Sequence, residues 1–182
     1  MRLRRFLRTE SIRLELETRL LPEPATRPDG TLEELDLDDF DPDSPVNRRR
    51  IVEGVLGEIA ELFDATGEVS NLRKLERELF ERERKAVTAV GSGIAIPHVR
   101  TLQVKTFLMA FARSTEGLPF NAPDDEPVHI FIGLAAPPYD DRTYLKVYRE
   151  LARNLIDSTV VQDLLSATDP SEVLLAFKDL ED

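Results

Sequence analysis

The chain contains no cysteine and no tryptophan, and has two histidines among its 182 residues. Without thiols, disulfides, Cys-ligated zinc and thiol catalysis are excluded. The two histidines, His98 and His129, are too few and too far apart in sequence to suggest a His-rich metal site. No apolar run is long enough to cross a bilayer. The basic start, Met1-Arg2-Leu3-Arg4-Arg5-Phe6-Leu7-Arg8, lacks the apolar core of a signal peptide. Positive charge is also in short supply: 24 Lys and Arg against 35 Asp and Glu give a net charge of −11. Such a chain is repelled by nucleic acid and by anionic membranes, although a local basic patch could still meet an acidic protein. These absences predict a cytoplasmic protein with no cofactor, no nucleic-acid partner and no membrane insertion.

What is present suits one domain with a sizeable core. Residues Ser11 to Glu17 alternate, with Ile12, Leu14 and Leu16 apolar between charged neighbours, which predicts a half-buried strand. From Arg19 to Val46 prolines mix with an acidic run ending in Asp36, Asp38, Asp39, Asp41 and Asp43. That stretch reads as a loop or insertion (19–46) outside the folded core, with Leu32, Leu35, Leu37 and Phe40 able to dock it on the surface.

Helices follow. Asn47 reads as the cap of the first, with Ile51, Val52, Val55, Leu56, Ile59, Leu62 and Phe63 on one face. Ser70 reads as the cap of the second, with Leu72, Leu75, Leu79 and Phe80 as its stripe and Arg82, Arg84 and Lys85 near its end, where cations complement the helix dipole. Strand segments are expected at Ala86–Val90 and Ile94–Ile96 around a Gly91-Ser92-Gly93 turn, then at Phe107–Ala112 and Val128–Ala136. Pro137-Pro138 stops the last of these. A helix then places Tyr144, Leu145, Tyr148, Leu151, Ala152 and Leu155 inward, and a short one spans Val160 to Leu165. The final helix opens on Asp169-Pro170-Ser171-Glu172, with an acidic cap, a first-turn proline and a capping-box glutamate. The expected fold is α/β: a mixed β-sheet sandwiched between helices on both faces, as a single domain over 1–182.

The chemistry concentrates at Gly91-Ser92-Gly93-Ile94-Ala95-Ile96-Pro97-His98-Val99-Arg100. A histidine at the end of a rigid strand can act as base, metal ligand or phosphoryl acceptor. The nearby arginines favour the last, because guanidinium grips phosphate oxygens.

This run resembles the signature of the EIIA domains of the bacterial phosphoenolpyruvate-dependent sugar phosphotransferase system, of the fructose/mannitol and nitrogen-related type: Gly-x-Gly/Ser-Ile-Ala-Ile/Val-Pro-His followed by a small and a basic residue. Arg82-Glu83, Thr88 and Gly91 are similar to the family's approach to it. The block Gly117-Leu118-Pro119-Phe120-Asn121-Ala122-Pro123-Asp124 and the helix at Glu172–Phe177 continue the likeness. It covers about Asn47 to Phe177, plus the strand at Ile12–Leu16; the 19–46 insertion is foreign to the pattern.

The resemblance implies a phosphotransferase component that accepts a phosphoryl group on His98 from the carrier HPr and passes it to an EIIB partner in sugar uptake. The alternative is a regulatory EIIA protein, whose His98 phosphorylation governs binding to a transporter, kinase or transcription regulator. Arg82 matches the family's active-site arginine; Thr88 and Arg100 are candidate support. Tyr144 stands where many members carry a second histidine. His129, inside a strand, reads as structural.

Overall fold

A computed structural model describes residues 2–155 and 159–180. A 3-10 turn over Leu3–Phe6 leads into β1 (Leu7–Arg13); then come α1 (Pro45–Asp64), α2 (Leu72–Lys85), β2 (Ala89–Gly91), β3 (Ile94–Ala95), β4 (His98–Arg100), β5 (Leu108–Leu118), β6 (Val128–Ala136), α3 (Asp141–Asn154), α4 (Val160–Ser166) and α5 (Pro170–Asp179). The sheet order is β1-β5-β6-β3-β2, with β4 also on β6. β5 and β6 are antiparallel; β1 runs parallel to β5, and β3 and β4 run parallel to β6. The sheet is therefore mixed.

Helices cover both faces, as expected. On one, Ile51, Val55, Leu56 and Ile59 of α1 and Leu75 and Leu79 of α2 pack against Ala110, Ala112, Phe131 and Ala135. On the other, Val147 and Leu151 of α3, Leu164 of α4 and Val173 and Phe177 of α5 pack against Met109, Phe111, Ile130 and Ile132. Burying each large apolar side chain stabilises the fold by about 1.5–3 kcal/mol before the entropy of ordering it is set against the gain. Gly133 lets α1 approach closely, since a Cβ there would lie 2.6 Å from Ile59 and 3.0 Å from Phe63. Among the described residues no helix is long and apolar enough to cross a membrane.

Several boundaries differ from the sequence pattern. β1 lies at Leu7–Arg13, not at 11–17. Beyond Arg13 the chain turns off because the Glu58 carboxylate accepts from the backbone N–H groups of Glu17 (2.9 Å) and Thr18 (2.7 Å) and from Arg13 (2.7 Å). Leu16 remains fully buried, so the alternation marked burial correctly beyond the strand's end. α1 is capped by Ser44, whose hydroxyl accepts from Asn47 N–H, and begins at Pro45. Asn47 lies inside the helix and ties back to the Pro42 carbonyl at 2.9 Å. α2 is capped by Asn71, while Ser70 bonds to Gln103 across a loop. β5 runs on to Leu118 through Arg113, whose Nη1 donates to the Leu164, Leu165 and Ala167 carbonyls behind α4.

Between β1 and α1 the acidic segment forms only an isolated bridge, Thr26 to Leu32. Leu32, Leu35 and Leu37 are exposed. Leu145, expected inward on α3, is 51% exposed, and Val147 takes the buried place.

Candidate functional site

The site forms where the end of α2, the hairpin β2–β3, β4 and the first half of α3 converge. Gly91, Ser92 and Gly93 all have positive φ (92°, 54°, 74°), a sequence of left-handed conformations suited to glycine. Asp124 holds the turn through Ser92 N–H at 2.7 Å. The chain then passes through Ile96 and Pro97 into β4, where His98 pairs with Leu134. Proline fixes φ and has no N–H to donate, so the peptide before His98 has few conformations to choose from.

The imidazole is held at both nitrogens. Nδ1 lies 2.7 Å from the Ile96 carbonyl, which can only accept, so the proton sits on Nδ1. Nε2 lies 2.6 Å from Arg82 Nη2, a donor, so Nε2 presents its lone pair. Arg82 is anchored in turn by Nη1 on the Ala86 carbonyl at 2.8 Å. Burial pushes the His98 pKa below its ordinary value; the bond to Ile96 pulls the other way, and the positive charge of Arg82 lowers it further. The ring is therefore neutral and nucleophilic near pH 7.

Behind this pair sits a connection that sequence reading did not single out. Glu83 is 7% exposed; its carboxylate accepts from Thr88 N–H at 2.9 Å and from Thr88 Oγ1 at 2.6 Å. The Thr88 carbonyl accepts from Ile96 N–H at 3.0 Å, and the Ile96 carbonyl holds His98. The last turn of α2 and the hairpin leading to His98 are thus one bonded unit. Burial raises the Glu83 pKa, against the lowering effect of the Thr88 bonds and of Arg82.

The candidate residues divide clearly. His98 and Arg82 are brought together. Thr88 turns its hydroxyl to Glu83 rather than to the imidazole. Arg100 reaches away to Asp141 at 2.5 Å, on the rim. Tyr144 does face His98, with ring centroids 5.7 Å apart, but its hydroxyl forms no hydrogen bond to the imidazole among the described residues. Tyr148 stands edge-on to His98 at 5.2 Å and stacks with Tyr144 at 6.4 Å. The i, i+4 spacing of the two tyrosines was the signal that both would reach the same place. His129 is engaged elsewhere, with Nδ1 on the Ser114 carbonyl at 3.0 Å and its ring against Gly117.

An open cavity of about 760 Å³ lies over the pair, lined by His98, Arg82, Lys85, Arg100, Tyr144 and Leu145 among others. Its lining is polar and mixed in charge, with Glu78, Glu81 and Asp141 beside the three cations. The arrangement is a nucleophilic nitrogen beside a positioned guanidinium: parts that can accept and stabilise a phosphoryl group.

Residues 48–179 match the model of the family described as phosphoenolpyruvate-dependent sugar phosphotransferase system, EIIA 2. The chain belongs to that family, and its mixed sheet between two helical layers is the EIIA fold. It is 35% identical over 121 residues to the PTS system fructose-specific EIIA component of Haloferax volcanii, covering 66% of this chain and 79% of that protein. It is 31% identical over 114 residues to a nitrogen regulatory protein of Bradyrhizobium diazoefficiens, covering 63% of this chain and 73% of the other. In three dimensions it is similar to nitrogen regulatory protein IIA-Ntr of Neisseria meningitidis, with a TM-score of 0.71, 23% identity, and coverage of 96% of this chain and 98% of that one. Longer relatives are matched over only 18–19% of their length.

Proposed function

We propose that this protein is a phosphocarrier that takes a phosphoryl group onto His98 Nε2 from phospho-HPr and passes it to an EIIB partner. The observation that carries the reading is the pair of bonds to the imidazole: Nδ1–H fixed on Ile96 and Nε2 lone pair beside Arg82. In the forward step the Nε2–P bond forms as the donor's N–P bond breaks. The proton stays on Nδ1, donated to the Ile96 carbonyl, and that bond stabilises the charge the ring acquires. Phosphoryl transfer asks little covalent chemistry of the protein, and a great deal of in-line positioning and charge stabilisation. Arg82 blocks the lone pair at rest, so its Nη2 must move from the nitrogen to an equatorial phosphoryl oxygen, pivoting on Nη1 at Ala86.

A regulatory role is the second reading, favoured by the relative named as a nitrogen regulatory protein. Here the same phosphorylation would govern binding to a transporter, kinase or transcription regulator. Thr88, Arg100 and Tyr144 act in either case by shaping the site and its rim.

The test is incubation with phosphoenolpyruvate, Enzyme I and HPr, followed by intact mass. One acid-labile, alkali-stable phosphoryl group is expected on the parent and none on His98→Ala. A labelled His98→Ala would overturn the assignment. Onward transfer to an EIIB protein separates the carrier from the regulator.

A further inference from the structure

The outer face of α3 carries a stripe that the phosphoryl chemistry does not use. Arg142, Lys146, Arg149 and Arg153 follow one another at spacings of four, three and four residues, which places them along one line of the helix, about 16 Å long. All are exposed. None is in a salt bridge among the described residues, whose ion pairs draw instead on Arg8, Arg13, Arg19, Arg48, Arg49 and Arg100. Like charges three or four apart on a helix repel, so the stripe works against the helix that bears it. It does so on a chain of net charge −11, where carboxylates are plentiful elsewhere.

The stripe is continuous with the site. It borders a surface groove of about 620 Å³, lined by Arg142, Leu145, Lys146, Arg149, Glu150 and Arg153. Leu145 lines both this groove and the cavity over His98, and offers an exposed apolar contact between them.

We infer that the outer face of α3 docks an acidic protein surface: the partner that exchanges the phosphoryl group with His98 seats carboxylates along Arg142–Arg153 and an apolar contact on Leu145. This rests on the phosphocarrier reading. A protein is favoured over a polyanion such as duplex DNA or a lipid surface because the acidic remainder of the chain repels an extended anion, whereas a compact partner meets only this face and the adjoining cavity, where Arg82, Lys85 and Arg100 balance Glu78, Glu81 and Asp141. Charge at the edge of an interface acts mainly on the association rate and its salt dependence.

The experiment uses the full chain with the HPr-type donor and the EIIB-type acceptor purified from the same organism, and compares the parent with the Lys146→Glu, Arg149→Glu, Arg153→Glu triple variant. Second-order rate constants for loading and unloading are measured from low to physiological salt. With the acidic partner, the parent should slow as salt rises, and the triple variant should be slower by about tenfold or more at low salt, with a flat or inverted salt slope. Phosphoramidate, a small chemical donor that needs no docking face, should label both proteins at one rate. Equal rates and slopes with both partners would overturn the proposal, as would anionic-vesicle binding that the triple variant loses while its transfer rates stay at the parent's. Failure of phosphoramidate to label His98 in the parent would instead remove the phosphocarrier reading itself.

Discussion

Arg82 Nη2 and His98 Nε2 lie 2.6 Å apart, so the atom proposed to accept a phosphoryl group is occupied at rest by the group proposed to stabilise it. The contact sets the geometry before any ligand arrives. It also means that removing the guanidinium frees the nucleophile while losing the charge that the transition state needs. These effects oppose each other, and the magnitudes favour the loss: a positioned donor to developing charge is worth a hundredfold or more in rate, whereas one hydrogen bond to a ring nitrogen is worth far less.

Arg82→Ala is therefore expected to slow phosphoryl transfer by roughly a hundredfold. Arg82→Lys keeps the charge but cannot hold Ala86 and His98 at once, so it should recover only part of the rate. Rapid-quench measurement of His98 labelling checks this; a parent-like rate in Arg82→Ala would reduce Arg82 to a helix-end cation.

The His98 ring should titrate below its ordinary value of 6.5, because burial and Arg82 both oppose its protonation. Labelling by a chemical donor should consequently hold steady as pH falls to about 6.5 and decline only below it. The unfolded chain binds this proton more readily than the folded one. The ring's contribution to stability is thus complete above the unfolded pKa and is lost as pH falls below it. Nitrogen NMR of labelled His98, followed against pH, gives the midpoint and shows the proton on Nδ1; a midpoint above 6.5 would contradict the geometry.

Tyr144 covers the ring without bonding to it, so Tyr144→Phe should change the transfer rate by no more than about twofold. Tyr144→Ala uncovers the imidazole and should raise its midpoint toward 6.5, since burial is the main cause of the depression. Tyr144→His supplies a donor that can become cationic and is expected to speed transfer. Equal rates and equal midpoints in all of these variants would leave Tyr144 with no part in the site.

Replacing residues 21–41 by a short Gly/Ser link should leave stability within about 0.5 kcal/mol and His98 labelling unchanged, because the leucines of this stretch are exposed. The link spares Pro42, Ser44 and Asn47, which fasten the start of α1. Urea unfolding of the two proteins decides it; a large loss of stability would place the segment in the core.

The parts legible in the sequence were those set by local patterns. The alternating and periodic apolar residues located both cores and the helices on each face, and Gly91–His98 with Arg82 marked two side chains that the fold brings into contact. Boundaries failed where a distant partner intervened. Glu58, from α1, ends β1, and Arg113 carries β5 past the point where its apolar run stops because α4 supplies carbonyls for it. Caps shifted by one to three residues because Ser44 and Asn71 outcompeted nearby residues of the same kind. The link from Glu83 through Thr88 to Ile96 was invisible because half of it is backbone, which every residue possesses.

That link has a mechanical consequence. The hairpin cannot lift from the end of α2 without stripping a buried carboxylate of its donors, a loss of about 1–3 kcal/mol or more for a charged group. Nor can it lift without releasing the carbonyl that holds the Nδ1 proton. Nucleophile, guanidinium and proton anchor consequently open and close together, as one local unfolding unit. A fluctuation in this region takes the site apart whole instead of leaving a half-assembled one.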